Sequence, residues 1–168
     1  KSGEDMTSNA TLARCSHTQT ISYAAVAADQ YAEHNTIQVT VGAADGLADD
    51  GAFAEDDLAG GSMAIFTDAA VNYILHYGIV GNTAVAAGGG TITITLDGVL
   101  PIDITAAASK VEAMCSPYLD MTTAGNDGGA YPYLGVPMRV ATLAEPYFWL
   151  QTWGPCWVAP AASVGVAS

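Results

Sequence analysis

Histidine and cysteine, the residue types most often found at metal and catalytic centres, are scarce in this chain of 168 residues. The three residues of each type are His17, His34, His76, Cys15, Cys115 and Cys156. They include no CxxC pair and no His or Cys at ligand spacing, so the sequence predicts no zinc site. An odd number of cysteines also disfavours a closed disulfide framework. We expect buried free thiols. The alternatives in an oxidising compartment are one intrachain bridge with a leftover thiol, or an intermolecular bridge.

Motifs that carry a catalytic nucleophile or a phosphate-binding loop are absent as well. The chain contains no GxSxG, HExxH, P-loop or Ser-x-x-Lys motif and no GxGxxG after a strand. A triad formed in space by His76, an aspartate and a serine stays an alternative, because triad members need not be neighbours in sequence. Nothing in the sequence singles out such a set, and we expect a protein that is not an enzyme and has no cofactor.

A run of acidic residues, DGLADDGAFAEDD, is the other candidate site. Carboxylate oxygens are the ligands that Ca²⁺ prefers, but an EF-hand needs acids at alternate positions, a central glycine and a closing glutamate. The spacing here is different, so the sequence favours a solvated acidic loop over a Ca²⁺ site. The candidate ligands are Asp45, Asp49, Asp50, Glu55, Asp56 and Asp57.

The charge balance excludes one class of partner and favours another. The chain has 17 acidic and 4 basic residues and a net charge of −13. Nucleic-acid binding needs a basic surface, so we expect none. An acidic surface also repels anionic membranes, and no stretch approaches the ~20 apolar residues of a transmembrane helix. We expect a soluble protein whose partner carries positive charge. The acidic composition of the chain also fits a protein from a saline habitat.

Alternation of apolar and polar residues predicts strands along much of the chain. The clearest case is TITITL at residues 91–96, where Ile92, Ile94 and Leu96 would point inward and the threonines outward. We predict strands at residues 36–41, 63–66, 71–80, 83–87, 91–96, 99–104 and 134–141, with turns at Gly81-Asn82 and Asp97-Gly98.

Helical spacing and the size of the chain complete the predicted architecture. Helical spacing relates Tyr23, Val26, Gln30 and Tyr31, and residues 105–115 read as a helix with Thr105 as N-cap. Residues 1–20 are polar and weakly patterned, which indicates an extended N-terminal arm. The sequence therefore predicts a mainly β fold: a compact antiparallel β-sandwich or barrel-like single domain at residues 21–168, with about one short helix.

All three tryptophans lie in one stretch, residues 145–158 with the sequence EPYFWLQTWGPCWV, which we call the aromatic segment. As a strand it would place Tyr147, Trp149 and Trp153 on one side and Phe148 on the other. Both sides are largely apolar, so the strand is either buried or covered by another subunit. A core position is favoured, above all for Trp149. The candidate interface residues are Tyr147, Trp149, Trp153 and Trp157.

The order of these elements resembles that of small virion proteins of tailed bacteriophages that decorate or cement the capsid. An acidic, glycine-rich stretch, DGLADDGAFAEDDLAGGSMAIF, comes first. A two-strand ribbon follows it, then SPYLDM, and then LGVPMRVATLAEPYFWLQTWGPCWV. The most specific part is the closing run from Phe148 to Pro155 after a Gly-Val-Pro strand. The resemblance covers about residues 45 to 166.

The resemblance implies a non-enzymatic β-rich module on the outer surface of an icosahedral virion, often a trimer, that holds neighbouring capsomers together. Its partners would be the major capsid protein and copies of itself. The arm at residues 1–20 would contact the shell or an adjacent copy, and the exposed aromatic side chains would lie at subunit contacts.

Two other functional classes stay open. A secreted or surface-layer β-rich protein of a saline-habitat microbe would share the acidity and the strand pattern. A hydrolase with an unrecognised triad would use His76 and would lose its activity when that residue is replaced.

Overall fold

The computed structural model describes residues 13–14, 20–68, 73–106, 108–119, 121–123, 133–138 and 142–156. These residues form β-strands and no helix, which confirms the mainly β prediction. None of them belongs to a helix long and apolar enough to cross a membrane. The predictions for Cys15, Trp157 and most of the arm lie outside the described residues.

The strands fall into two compact units. One unit is His17–Ser116, and the other combines Lys1–Ser16 with Pro117–Ser168. The division into an arm at residues 1–20 and a single domain at residues 21–168 stays a prediction. No linker-like composition marks the boundary after Ser116. The strands are β1 (Ala13–Arg14), β2 (Ile21–Val26), β3 (Thr36–Val41), β4 (Ser62–Phe66), β5 (Ile74–Asn82), β6 (Gly90–Leu96), β7 (Lys110–Met114), β8 (Thr122–Thr123), β9 (Tyr133–Pro137) and β10 (Leu150–Gln151).

The unit His17–Ser116 is a closed antiparallel barrel of six strands, in the order β2-β3-β6-β5-β4-β7. Strands β4, β5 and β6 follow one another, and β7 returns to lie beside β4, which is a Greek-key arrangement. Pairing of β7 with β2 closes the barrel and leaves no exposed sheet edge. The barrel form of the predicted fold is thereby confirmed.

Alternation along the strands fills the barrel with branched aliphatic side chains. In β3 and β6, Ile37 lies opposite Ile94, and Val39 lies opposite Ile92, and all four side chains are fully buried. Such burial stabilises the fold by about 1.5–3 kcal/mol for each large side chain. Phe53, in the acidic stretch, and Leu58, directly after it, are buried as well.

Both helix predictions are wrong, because a strand forms in each of the two segments. Residues 21–26 form β2, and residues 110–114 form β7, which pairs with β2 and β4. The segment predicted as a helix at residues 105–115 begins with one helix-like turn. In this turn the backbone N–H groups of Ala108 and Ser109 donate to the carbonyl of Thr105. Val111 and Ala113 then alternate inward with the period of a strand.

The predicted turn at Gly81-Asn82 is also wrong, since both residues belong to β5. A register shift between Ile79 and Gly81 places a bulge there, with the side chain of Val80 exposed. The predicted strands at residues 83–87 and 99–104 reduce to single bridges, which join Val85 to Phe53 and Ile104 to Gln30.

The other unit contains a four-stranded sheet in the order β10-β9-β1-β8. Strand β1 comes from the predicted N-terminal arm and lies between β8 and β9, with Ala13 paired to Thr123 and to Gly135. Met121 is buried beneath Leu134, Phe148 and Leu150, which form a small apolar cluster. Part of the arm is therefore a central strand of this sheet.

Candidate functional site

The carboxylates of the acidic stretch mainly hold its turns in place. Asp45 accepts hydrogen bonds from the backbone N–H of Ser22 (3.1 Å) and of Gly42 (2.7 Å). Asp50 and Asp57 accept from backbone N–H groups two and three residues away, at 3.0 and 2.7 Å. Aspartate in this position stabilises a turn without any bound ion.

The remaining acids of the stretch lie on the surface of the same turns. Asp49 and Asp56 adopt positive φ angles of 55° and 64°, a conformation that aspartate tolerates better than most residues. Among the described residues, no group of three or more histidine, cysteine or acidic side chains is placed to hold a metal ion. Ca²⁺ binding by Asp45, Asp49, Asp50, Glu55, Asp56 and Asp57 stays a hypothesis.

The cysteines differ in their surroundings. Cys115 is buried, and its backbone N–H donates to Oγ1 of Thr20 (2.9 Å). Cys156, in the aromatic segment, is an exposed thiol, so the prediction of a buried thiol is wrong at this position.

A groove of about 680 Å³ lies on the outer face of the barrel, across β7, β4 and β5. Its floor is the central strand β4, where Ser62 and Ala64 carry small side chains. Ala64 pairs with His76 on one side and with Glu112 on the other. Two strand spacings separate these flanking residues, about 10 Å between their backbones, so the groove is a gap between two polar walls.

Asp97 and Tyr77 build the wall on the side of β5. Oδ1 of Asp97 accepts a hydrogen bond from the backbone N–H of Gly78 (3.0 Å). A Cβ atom at Gly78 would lie 2.7 Å from Oδ2 of Asp97, so a larger residue there would displace this carboxylate. The hydroxyl of Tyr77 donates to the carbonyl of Val99 (3.0 Å). Burial, together with the charge of Asp97, raises the pKa of Tyr77, which therefore stays a neutral donor.

The groove brings together residue types that a hydrolytic triad would need. Ser62, His76, Asp97 and Glu112 all line it. A triad works through hydrogen bonds from nucleophile to base and from base to acid. Within the part of the chain that the structure describes, no hydrogen bond connects these four side chains to one another. Sequence spacing could not reveal this set, because its members come from four separate elements.

The aromatic segment presents its large side chains to solvent. The exposed fractions are 75% for Tyr147, 84% for Trp149 and 91% for Trp153. Phe148 and Leu150, on the opposite side, pack against Met121. The predicted alternation is therefore confirmed, whereas the core position favoured for Trp149 is wrong. The physical reason is that only one side of the segment faces the small apolar cluster.

Hydrogen bonds hold this segment in a defined conformation. The backbone N–H of Met138 donates to the carbonyl of Trp149 (3.0 Å), which extends the pairing of β9 with β10. The side-chain amide of Gln151 donates to the carbonyls of Trp153 (3.3 Å) and Pro155 (2.8 Å). The turn after Trp153 is thereby fixed. The aromatic side chains are displayed on an ordered backbone.

Comparison of the chain with protein-family models, with curated proteins and with solved structures finds no match. Function has to be inferred from the two surfaces described above, the groove on the barrel and the aromatic segment.

Proposed function

We propose that this chain is a non-enzymatic structural protein of a bacteriophage virion, which decorates or cements the outside of the capsid. The observation that supports this function is the exposure of Tyr147, Trp149 and Trp153 on one side of an ordered segment. Soluble monomers seldom expose adjacent large apolar groups, and tryptophan and tyrosine dominate the energetics of protein interfaces. The partners are the major capsid protein and copies of the chain itself.

The size of this aromatic surface suits a protein contact. Each large aromatic side chain can bury about 150–250 Å², so three of them supply roughly 500 Å². A stable interface buries about 800 Å² on each partner. The aromatic side chains would therefore provide more than half of one standard interface, and repetition over a shell would strengthen individually weak contacts.

The position of β1 supports a role for the N-terminal arm in assembly. This short strand lies between β8 and β9, so the sheet accepts a strand from a segment distant in sequence. The same pairing can be made by the arm of an adjacent copy, as in other strand-exchanged oligomers. Strand exchange of this kind would join copies into the trimer that we expect.

Binding to empty shells tests the proposed function. Shells are assembled from the major capsid protein encoded in the same genome, incubated with the purified chain and sedimented, and the bound fraction is measured. We expect saturable binding, and a loss of affinity of at least about tenfold for Trp149→Ala combined with Trp153→Ala. Far-UV circular dichroism should be unchanged, because both side chains are exposed. The matched control is Tyr31→Ala, which removes an exposed aromatic side chain from the barrel unit.

Three results would contradict the proposal. The first is the absence of a capsid gene from that genome, and the second is full occupancy by the double tryptophan variant. The third is ester or peptide hydrolysis that disappears in His76→Ala, which would establish the hydrolase alternative. Sedimentation equilibrium of the wild-type chain checks the trimer separately, since a monomer at all concentrations would exclude it.

A further inference from the structure

We infer that the groove across β7, β4 and β5 binds a basic side chain, a lysine ammonium or an arginine guanidinium, presented by another protein. This site lies on the barrel and does not involve the aromatic segment. The inference goes beyond the proposed function and does not depend on it, because it specifies a ligand chemistry and leaves the larger assembly unspecified.

The shape of the groove fits a long side chain. Small residues on the central strand, Ser62 and Ala64, form the floor, and the half-exposed Met114 borders it. The volume of about 680 Å³ is within the range of ligand pockets. Lysine and arginine bury their aliphatic stems along apolar surface while the charged end reaches polar groups. Ala64 and Met114 supply that apolar surface.

The charge of the groove selects a cation. Asp97 and Glu112 lie on opposite walls, and no lysine or arginine is among the lining residues. The hydrogen bond from Gly78 fixes the carboxylate of Asp97 through Oδ1, and Oδ2 lies against Gly78, 2.7 Å from the position that a Cβ atom would take there. Charge-assisted hydrogen bonds to carboxylates are the strongest that a guanidinium or ammonium makes. Two carboxylates around one apolar floor therefore form a site for a single basic side chain.

The occupant is another protein, since a second copy of this chain is a poor ligand. The chain carries a net charge of −13 and has only four basic residues, so a second copy offers few basic side chains to this groove. One of these four basic residues, Lys110, lies on the same side of β7 as Glu112, two residues before it. The partner must then supply the positive charge that this chain lacks.

Recognition at the groove goes through side chains. Strand β4 is paired on both sides, with β5 and with β7, and the closed barrel has no edge to which a peptide could add as a strand. The backbone of a ligand therefore stays outside the sheet, and its basic side chain enters the gap above Ala64.

Titration followed by nuclear magnetic resonance tests the inference on the full chain labelled with ¹⁵N. The probes are N-acetyl-arginine methylamide, N-acetyl-lysine methylamide and, as the uncharged control, N-acetyl-norleucine methylamide. We expect saturable shifts of the amides of Ala64, Gly78 and Met114 with a cationic probe, and at least about tenfold weaker binding of norleucine. Equal binding of norleucine, or shifts confined to the acidic stretch, would overturn the inference.

Two variants assign the binding to the groove. Glu112→Gln should weaken the binding of the cationic probes about threefold, as expected for one partly exposed charge pair. Ala64→Phe should fill the gap and abolish the local shifts, and its folding is checked by circular dichroism. Asp49→Asn removes the same charge from an exposed turn and should leave the affinity unchanged. An equal loss in Asp49→Asn and Glu112→Gln would show general charge attraction and refute a specific site.

Discussion

Asn82 is a single buried side chain that fastens the acidic stretch to β5. Its Oδ1 accepts from the backbone N–H of Leu58 (2.8 Å), and its Nδ2 donates to the carbonyls of Ala54 (2.9 Å) and Thr83 (3.0 Å). Each bond contributes about 0.5–1.5 kcal/mol, and a buried group left without its partner costs about 1–3 kcal/mol. This neutral amide therefore holds the charged, glycine-rich segment against β5, together with the bridge between Phe53 and Val85.

Tyr77 gives the barrel a specific dependence on high pH. Its pKa is raised in the folded chain by burial and by Asp97. Above pH 10 the unfolded tyrosine releases its proton while the folded one retains it, so the unfolded state binds fewer protons and the free energy of unfolding falls as pH rises. The stability that Tyr77 contributes is fully present below about pH 10 and is lost as the pH passes through the raised pKa of Tyr77.

We expect Tyr77→Phe to be less stable than the wild type by about 1 kcal/mol at pH 8, because the hydrogen bond to Val99 is lost. The difference should narrow as the pH rises above about 10, as the wild type loses its additional stability. Urea denaturation at each pH measures both curves. Tyr73→Phe, which changes an exposed tyrosine next to the same strand, should keep the wild-type slope. Parallel curves for Tyr77→Phe and the wild type would contradict the expectation.

At the scale of elements, the sequence predicts strands correctly where large apolar residues alternate with polar ones. In β3 and β6, isoleucine and valine alternate with threonine and glutamine, and both strands were predicted within one residue of their ends. In β2 the buried residues are Ile21, Ala24 and Val26, since a register shift and the positive φ of Tyr23 interrupt the alternation. The helical interpretation relied on Tyr23, Val26, Gln30 and Tyr31, of which both tyrosines are exposed, so the residues at helical spacing share no buried face.

The two candidate sites also differ in how far the sequence predicts them. Alternation within the aromatic segment was visible because it is local, but its exposed side depends on the cluster around Met121, which is assembled from distant strands. The groove was not predictable at all. It requires β7 to return beside β4, and this pairing follows from the order of strands in the barrel. No periodicity within one strand encodes such a return.

Close approach between elements makes Gly61 indispensable at the start of β4. A Cβ atom there would collide with the carbonyl oxygen of Met114 and lie 2.8 Å from that of Leu58. We expect Gly61→Ala to lower the free energy of unfolding by about 2–3 kcal/mol in urea denaturation, since backbone would have to shift. Gly42→Ala is the control, because its nearest neighbour would be 3.7 Å away. Equal stability of the two variants would show that β4 and β7 tolerate separation at this point.

At the scale of the molecule, the two units differ in how the chain builds them. All six barrel strands come from one continuous segment, His17–Ser116. The four-stranded sheet draws β1 from the beginning of the chain and β8, β9 and β10 from its last third. A closed barrel satisfies the backbone hydrogen bonds of its strands internally, whereas the other sheet has edges at β8 and β10. The barrel should therefore be the autonomous unit.

A fragment of residues 17–116 should fold by itself. It retains every barrel strand and the buried side chains of the barrel, so we expect a strand-type circular dichroism spectrum, dispersed amide resonances and one cooperative thermal transition. A fragment of residues 117–168 lacks β1, which leaves β8 and β9 without the strand between them, and should stay largely unfolded at the same concentration. Adding a peptide of residues 1–16 should restore strand signal in the second fragment. Failure of the first fragment to fold would mean that the barrel depends on residues outside His17–Ser116, and that the single domain predicted at residues 21–168 is the better description of this chain.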